Sequence, residues 1–194
     1  MGGNIVLNYM MKGFAGSKGS DGSSLPPVAG AIVSSPWLRA PGQPSRLLTR
    51  FLSIIGILLP NFTIQPQAES QPKDAEFLVG QSRDTEYLAD INPEYLMHNY
   101  LGLRICCQIM IAGEYAMAHG GEINIPTLLM GAKYDTMVSF DAIEEFALKS
   151  NPKVQYKSWN MFHELHNDFG RDEVFVYVRQ YLDALLTSQH NVTA

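Results

Sequence analysis

Two ionisable residues of this chain stand where a catalytic pair is needed. Asp135 lies in Gly131-Ala132-Lys133-Tyr134-Asp135-Thr136-Met137-Val138, and His163 lies in Phe162-His163-Glu164-Leu165-His166-Asn167-Asp168. Each follows a short run with the pattern of a strand, and in open α/β sheets catalytic groups occupy loops at the carboxyl ends of strands. A serine hydroxyl is a poor nucleophile until an imidazole removes its proton, and that imidazole must be held in one tautomer by a buried carboxylate. In that chemistry Asp135 orients, while His163 acts as base and then as acid. Taken singly, each has a plainer reading: an Asp after a strand forms turns or caps helices, and a loop histidine is usually a surface residue. Glu164 reads as a hydrogen-bond partner rather than a base. His163 and His166 invite a zinc site, but the spacing is not His-Glu-x-x-His and no third ligand stands out, so neither metal nor cofactor is expected.

The elements that must position this pair follow from hydrophobic periodicity. Residues 127–131 form a buried strand; Phe140, Ile143, Phe146 and Ala147 mark a helix; Val154, Tyr156 and Ser158 alternate as a second strand; Val174, Val178, Tyr181, Leu182 and Leu185 make a closing amphipathic helix. Upstream, residues 28–34 are apolar on both faces and bounded by Pro27 and Pro36, the signature of a strand inside a parallel sheet. Residues 4–14 follow helical spacing through Ile5, Val6, Tyr9, Met10 and Phe14, and the Gly/Ser-rich residues 16–24 read as a surface linker. Strand and helix alternating in this way predict a right-handed parallel α/β sheet.

The middle of the chain breaks that alternation. A Pro/Gly-rich loop from Trp37 leads to the apolar residues 47–60, long enough for a helix of about three turns. A polar passage over residues 65–73, the turn Ser82-Arg83-Asp84 and a short helical segment near Tyr95 follow. Residues 101–118 are helical again, with Leu103, Cys106, Cys107, Met110 and Ile111 on one stripe and Gly120-Gly121 stopping it. The expected organisation is a helix and core strand over 1–36, a helical cap over 37–122, the core carrying acid and histidine over 123–188, and a tail over 189–194.

With 194 residues, 46% of them hydrophobic, the chain suffices for one domain. Against 19 acidic residues stand 14 basic ones without a cluster, which disfavours a nucleic-acid partner. The only cysteines, Cys106 and Cys107, are adjacent in an apolar run, poorly placed to bridge each other, and read as buried thiols in a reducing compartment. No apolar run reaches the roughly 18 residues of a membrane span, and the first residues lack a secretory pattern. A cytoplasmic location, with peripheral membrane contact through the cap, is the expectation.

The ordered set of these pieces resembles the carboxy-terminal part of the monoacylglycerol lipase branch of α/β hydrolases, which includes lysophospholipases and serine aminopeptidase-like proteins. Met1-Gly2-Gly3 resembles the end of the family's Gly-His-Ser-Met-Gly-Gly turn, where glycines let the helix after the serine pack closely. Residues 28–36, with the Ser35-Pro36 step, resemble the next strand; Leu58-Leu59-Pro60-Asn61 and Ser82-Arg83-Asp84 resemble the cap and its lid turn; Phe162-His163-Glu164-Leu165 resembles the His-Glu-Leu segment. Asp135 before His163 is also the family's order after the serine. The resemblance implies a partial α/β-hydrolase fold with an inserted helical cap and a serine ester hydrolase acting on a lipid ester through an acyl-enzyme.

The same resemblance marks what the chain departs from. No Gly-x-Ser-x-Gly occurs, so the sequence is expected to begin one residue after the nucleophile and the chain as it stands to be inactive. The backbone N–H that helps stabilise the oxyanion would be that of Met1. Asp90-Ile91-Asn92-Pro93 departs from the usual Asp-Pro-Leu, and Trp159-Asn160-Met161 replaces a glycine-containing turn. The strand over 28–34 is expected to lack its usual neighbour, an apolar edge that favours aggregation. Ile54, Ile55, Leu58 and Leu59, with Phe51, Ile57 and Phe62, would line an acyl tunnel or rest on a membrane, or else simply pack the cap onto the core. A noncatalytic binding protein, or a relative with an Asp nucleophile, are the competing readings.

Overall fold

A computed structural model of the chain describes residues 1–12, 28–64, 80–90 and 100–193. The expected linker, Phe14, the polar passage over 65–73, the helical segment near Tyr95 and the lid stretch after Asp90 lie outside the described residues. In chain order the elements are helix α1 (Gly2–Lys12), strand β1 (Ala31–Ser34), helix α2 (Arg46–Leu58), strand β2 (Thr63–Ile64), helix α3 (Thr85–Asp90), strand β3 (Leu101–Gly102), helix α4 (Leu103–His119), strand β4 (Thr127–Ala132), helix α5 (Phe140–Lys149), strand β5 (Val154–Trp159) and helix α6 (Arg171–Thr193).

Three strands form a parallel sheet in the order β1-β4-β5. Ala31 stands opposite Thr127, and Thr127 opposite Val154, so the carboxyl ends of all three strands open onto one rim. The central β4 is buried at all six positions, as a strand covered on both faces must be. Its side chains alternate between two cores. Leu129 faces a cluster with Leu7 and Met10 of α1, Val33 of β1, Ala116 of α4, Ile143 and Phe146 of α5, and Leu38 and Ile123 from the connections. Leu128, Met130 and Ala132 face the other, with Trp159, Met161, Leu165 and Val174, closed by α6. Val178 and Tyr181 pack on this second cluster as the amphipathic pattern requires, whereas Leu182 stands exposed. Among the described residues β1 has no strand on its outer side.

Two helices bury faces that hydrophobicity alone does not select. In α1 the buried residues are Asn4, Leu7, Met10 and Met11, while Ile5, Val6 and Tyr9 of the expected stripe are exposed. Asn4 tolerates burial because its Nδ2 donates to the carbonyls of Trp37 (2.6 Å) and Ile109 (3.2 Å). The head of α1 is close-packed through Gly3, where a Cβ would lie 3.0 Å from both Pro36 and Val33; Gly2 has open space.

Helix α2 is the more pronounced case. Ser45 caps it by accepting from the Leu48 N–H, and the buried residues are Thr49, Ser53 and Gly56, the small members at i, i+4 and i+7. They let α2 approach α4 until a Cβ on Gly56 would stand 3.0 Å from the Arg104 backbone. Gln108 Nε2 donates to Ser53 Oγ across the contact (3.0 Å). The apolar residues are thereby turned away from α4: Ile54 is 57% exposed and Leu58 73%, with Phe51, Ile57 and Leu59 also exposed and Ile55 half-buried. Among the described residues α2 is buried through Thr49, Ser53 and Gly56 rather than through Ile54, Leu58 and Leu59.

Candidate active site

The site forms where the loops after β4 and β5 are stitched together. Lys133 N–H donates to the Trp159 carbonyl (2.9 Å) and Tyr134 N–H to that of Met161 (3.0 Å), extending strand-like pairing past both strand ends. This brings Asp135 beside His163, 28 residues later: His163 Nδ1 lies 2.7 Å from Asp135 Oδ2. The carboxylate is fully buried and the imidazole 21% exposed. Asp135 is also a turn former, since its other oxygen accepts from the N–H groups of Met137 (2.8 Å) and Val138 (3.0 Å). The turn contacts and the His163 contact thus use different oxygens of one carboxylate. With Nδ1 donating to Asp135, the ring must present Nε2 as its basic nitrogen.

The head of α1 comes to the same place. Burial lowers the pKa of the Met1 amine, and the Glu164 and Asp135 carboxylates pull the other way, so both act on the group at which α1 begins. An open cleft of about 460 Å³ lies beside it, lined by Met1, Asn4 and Ile5 of the first turn and by Arg104, Ile105 and Ile109 of α4. Ile54, Ile55, Leu58 and Leu59 do not line that cleft. Glu164 turns to His166 Nε2 (3.2 Å) and Asn167 Nδ2 (3.3 Å) rather than to the His163 imidazole. Cys106 and Cys107 are free, buried thiols whose pKa values burial raises, and they take no part in the site.

A family model described as serine aminopeptidase, S33, matches residues 1–169. The chain belongs to this hydrolase family. It is 25% identical over 166 residues, 84% of its length, to an uncharacterised abhydrolase domain-containing protein of Dictyostelium discoideum, of which it spans 17%. With a putative monoglyceride lipase of Schizosaccharomyces pombe it shares 23% identity over 182 residues, covering 92% of the chain and 43% of that protein. The crystal structure of a Paleococcus ferrophilus monoacylglycerol lipase superposes with a TM-score of 0.73 at 14% identity, covering 94% of the chain and 65% of that structure. The S33 chain therefore spans less than half of the curated relatives it matches, and its architecture is a partial α/β-hydrolase fold.

Three residues of this S33 chain that support the histidine loop have no visible role in the sequence. Ser35, just past β1, is held at φ 40°, a conformation uncommon for a non-glycine residue, and its Oγ donates to the His163 carbonyl (3.2 Å). Asp168, five residues after His163, is fully buried and accepts from Phe162 N–H (2.9 Å) and from Arg83 N–H (2.7 Å) and side chain. Arg83 was visible only as part of Ser82-Arg83-Asp84. Its partner lies 85 residues away, a pairing that no local pattern encodes.

Proposed function

We propose that this chain supplies the acid–base half of a serine ester hydrolase of the monoacylglycerol lipase or lysophospholipase type. The observation that carries the reading is the 2.7 Å Asp135–His163 contact on the carboxyl rim of the parallel sheet, beside the start of α1. In this reading the nucleophilic serine stands one residue ahead of Met1. His163 Nε2 takes its hydroxyl proton as Oγ attacks the ester carbonyl. The carbonyl–alkoxy bond then breaks, and the imidazolium returns the proton to the departing alcohol oxygen. Water repeats the sequence on the acyl-enzyme. The Met1 N–H, an amide once a residue precedes it, donates to the oxyanion.

The 194 residues contain no Gly-x-Ser-x-Gly, so the reading makes this chain inactive without the residues ahead of it. A fluorophosphonate probe is expected to leave the 194-residue chain unlabelled and to label a chain lengthened with the upstream coding sequence, at the serine before Met1. Labelling of the short chain, or an unlabelled lengthened chain, refutes it; an Asp at that position identifies the alternative nucleophile.

A lipid-ester substrate is supported by the names of the relatives and by the outward face of α2. Residues 37–122 act as a cap whose exposed Phe51, Ile54, Ile57, Leu58 and Leu59 rest on a lipid surface, with Ile55 beside them, so that an acyl chain enters along Ile54, Ile55, Leu58 and Leu59. Among the described residues no helix is long and apolar enough to cross a membrane. The double substitution Ile54→Glu, Leu58→Glu is expected to weaken sedimentation with phosphatidylcholine vesicles by at least about tenfold, since each side chain brings roughly 1.5–3 kcal/mol when fully buried. The melting temperature should barely move, because both side chains are already largely in water. Undiminished vesicle binding refutes the membrane contact.

A further inference from the structure

The loop over residues 160–170 that carries His163 is fastened from a distance. Asp168, inside the loop, folds its buried carboxylate back onto the loop's own beginning, accepting from Phe162 N–H. Arg83 grips the same carboxylate with a fork: Nε lies 3.2 Å from both oxygens and Nη2 3.0 Å from Oδ2. Nη2 also donates to the carbonyls of Asn160 (3.4 Å) and Phe169 (3.3 Å), and the guanidinium lies over the Phe162 ring at 5.7 Å.

The neighbours of Arg83 complete the hold. Ser82 Oγ donates to the Asn167 carbonyl (2.7 Å), Glu164 N–H donates to the Gln81 carbonyl (2.8 Å), and Asp84 pairs with Arg171 at the start of α6 (3.0 Å). Both residues flanking His163 are therefore bonded to this apparatus, Phe162 through Asp168 and Glu164 through Gln81. An ion pair serving stability alone could sit anywhere on the surface, as Glu145 does with Arg39 and Lys149. Here the bonds converge on the backbone around one imidazole.

We infer that Arg83 and Asp168 are positioning residues for His163: the segment over 81–84 sets the imidazole's pose and tautomer by clamping its loop. The planar fork is what the site needs, because it fixes direction as well as charge. The segment belongs to the proposed cap, so whatever moves it also moves the base. The inference rests on the acid–base reading of His163, but its test needs no nucleophile and uses the chain as it is.

Histidine 15N ring shifts, assigned by comparison with His163→Gln, report which ring nitrogen carries the proton at neutral pH. The parent is expected to hold His163 as the Nδ1–H tautomer. In Arg83→Gln and Asp168→Asn the Nε2–H form should rise roughly tenfold, as expected when the hydrogen bond that selects the tautomer is no longer enforced. Arg83→Lys, which keeps charge but loses the fork, should fall between; Glu145→Gln should match the parent. Should Arg83→Gln not fold, Asp168→Asn carries the same reading. An unmoved tautomer balance in these variants alongside a lowered melting temperature overturns the inference, as does a parent without the Nδ1–H form. An unlabelled lengthened chain, by contrast, would refute only the assigned chemistry.

Discussion

Asp135→Asn is expected, on the proposed serine-hydrolase reading, to lower kcat by about four orders of magnitude in a chain lengthened with the proposed nucleophile, with little change in KM. The carboxylate oxygen 2.7 Å from His163 Nδ1 accepts a hydrogen bond from the protonated Nδ1. An amide placed there can turn an N–H toward the ring, which then favours the tautomer with its proton on Nε2, where no base remains for the hydroxyl. The imidazolium formed in the transition state also loses its neighbouring charge. The fold should survive, because the other side-chain oxygen can still accept from Met137 and Val138 N–H. Initial rates on a monoacylglycerol, with circular dichroism as a check on folding, measure this. A loss below tenfold would remove Asp135 from the chemistry.

The largest expected loss of stability is at Asp168. Asp168→Ala should lower the unfolding free energy by about 3 kcal/mol, near the low end for breaking a buried ion pair. The substitution strands the N–H groups of Phe162 and Arg83 along with the guanidinium. The Arg83 side chain is 39% exposed and can recover water, which holds the figure down. Urea unfolding at neutral pH measures it; a change within 0.5 kcal/mol, the ordinary range for surface sites, contradicts it.

The pH dependence carries the same signature. Burial alone would raise the Asp168 carboxyl, but hydrogen bonds from the Arg83 side chain and from the N–H groups of Phe162, Arg83 and Phe169 outweigh it and hold it below the usual carboxylate range. A carboxyl lowered on folding stabilises fully above its unfolded pKa of about 3.9 and loses that contribution as pH falls through the folded value. The parent should therefore lose stability more steeply than Asp168→Ala as the medium is acidified below about pH 4. Parallel acid titrations of the two would contradict the assignment.

How far each feature could be read in advance depended on the range of the interaction that creates it. Strand β4 follows from its unbroken apolar run, buried on both faces, while β5 and the helices α5 and α6 follow from periodicity, because each buries a face that its own side chains define. The pair Asp135 and His163 was legible for the same reason, each lying just beyond a strand. The faces of α1 and α2 were not. Asn4 is buried because two distant carbonyls accept from it, and α2 turns Thr49, Ser53 and Gly56 inward because small side chains permit the closest approach to α4. Apolar periodicity counts only the area an element would hide, not the partner that hides it.

The sequence by itself determined the parallel α/β arrangement and placed Asp135 and His163 just past two strand ends, since alternation and punctuation by Pro and Gly are local properties of the chain. Only the tertiary structure decided that these side chains meet at 2.7 Å, that Ser35, Arg83 and Asp168 hold the loop between them, and that the apolar side of α2 faces outward. A hydrogen bond or ion pair spanning 28, 85 or 128 residues leaves no periodic trace, because it depends on where the sheet register and the turns deliver two backbones that are unrelated along the chain.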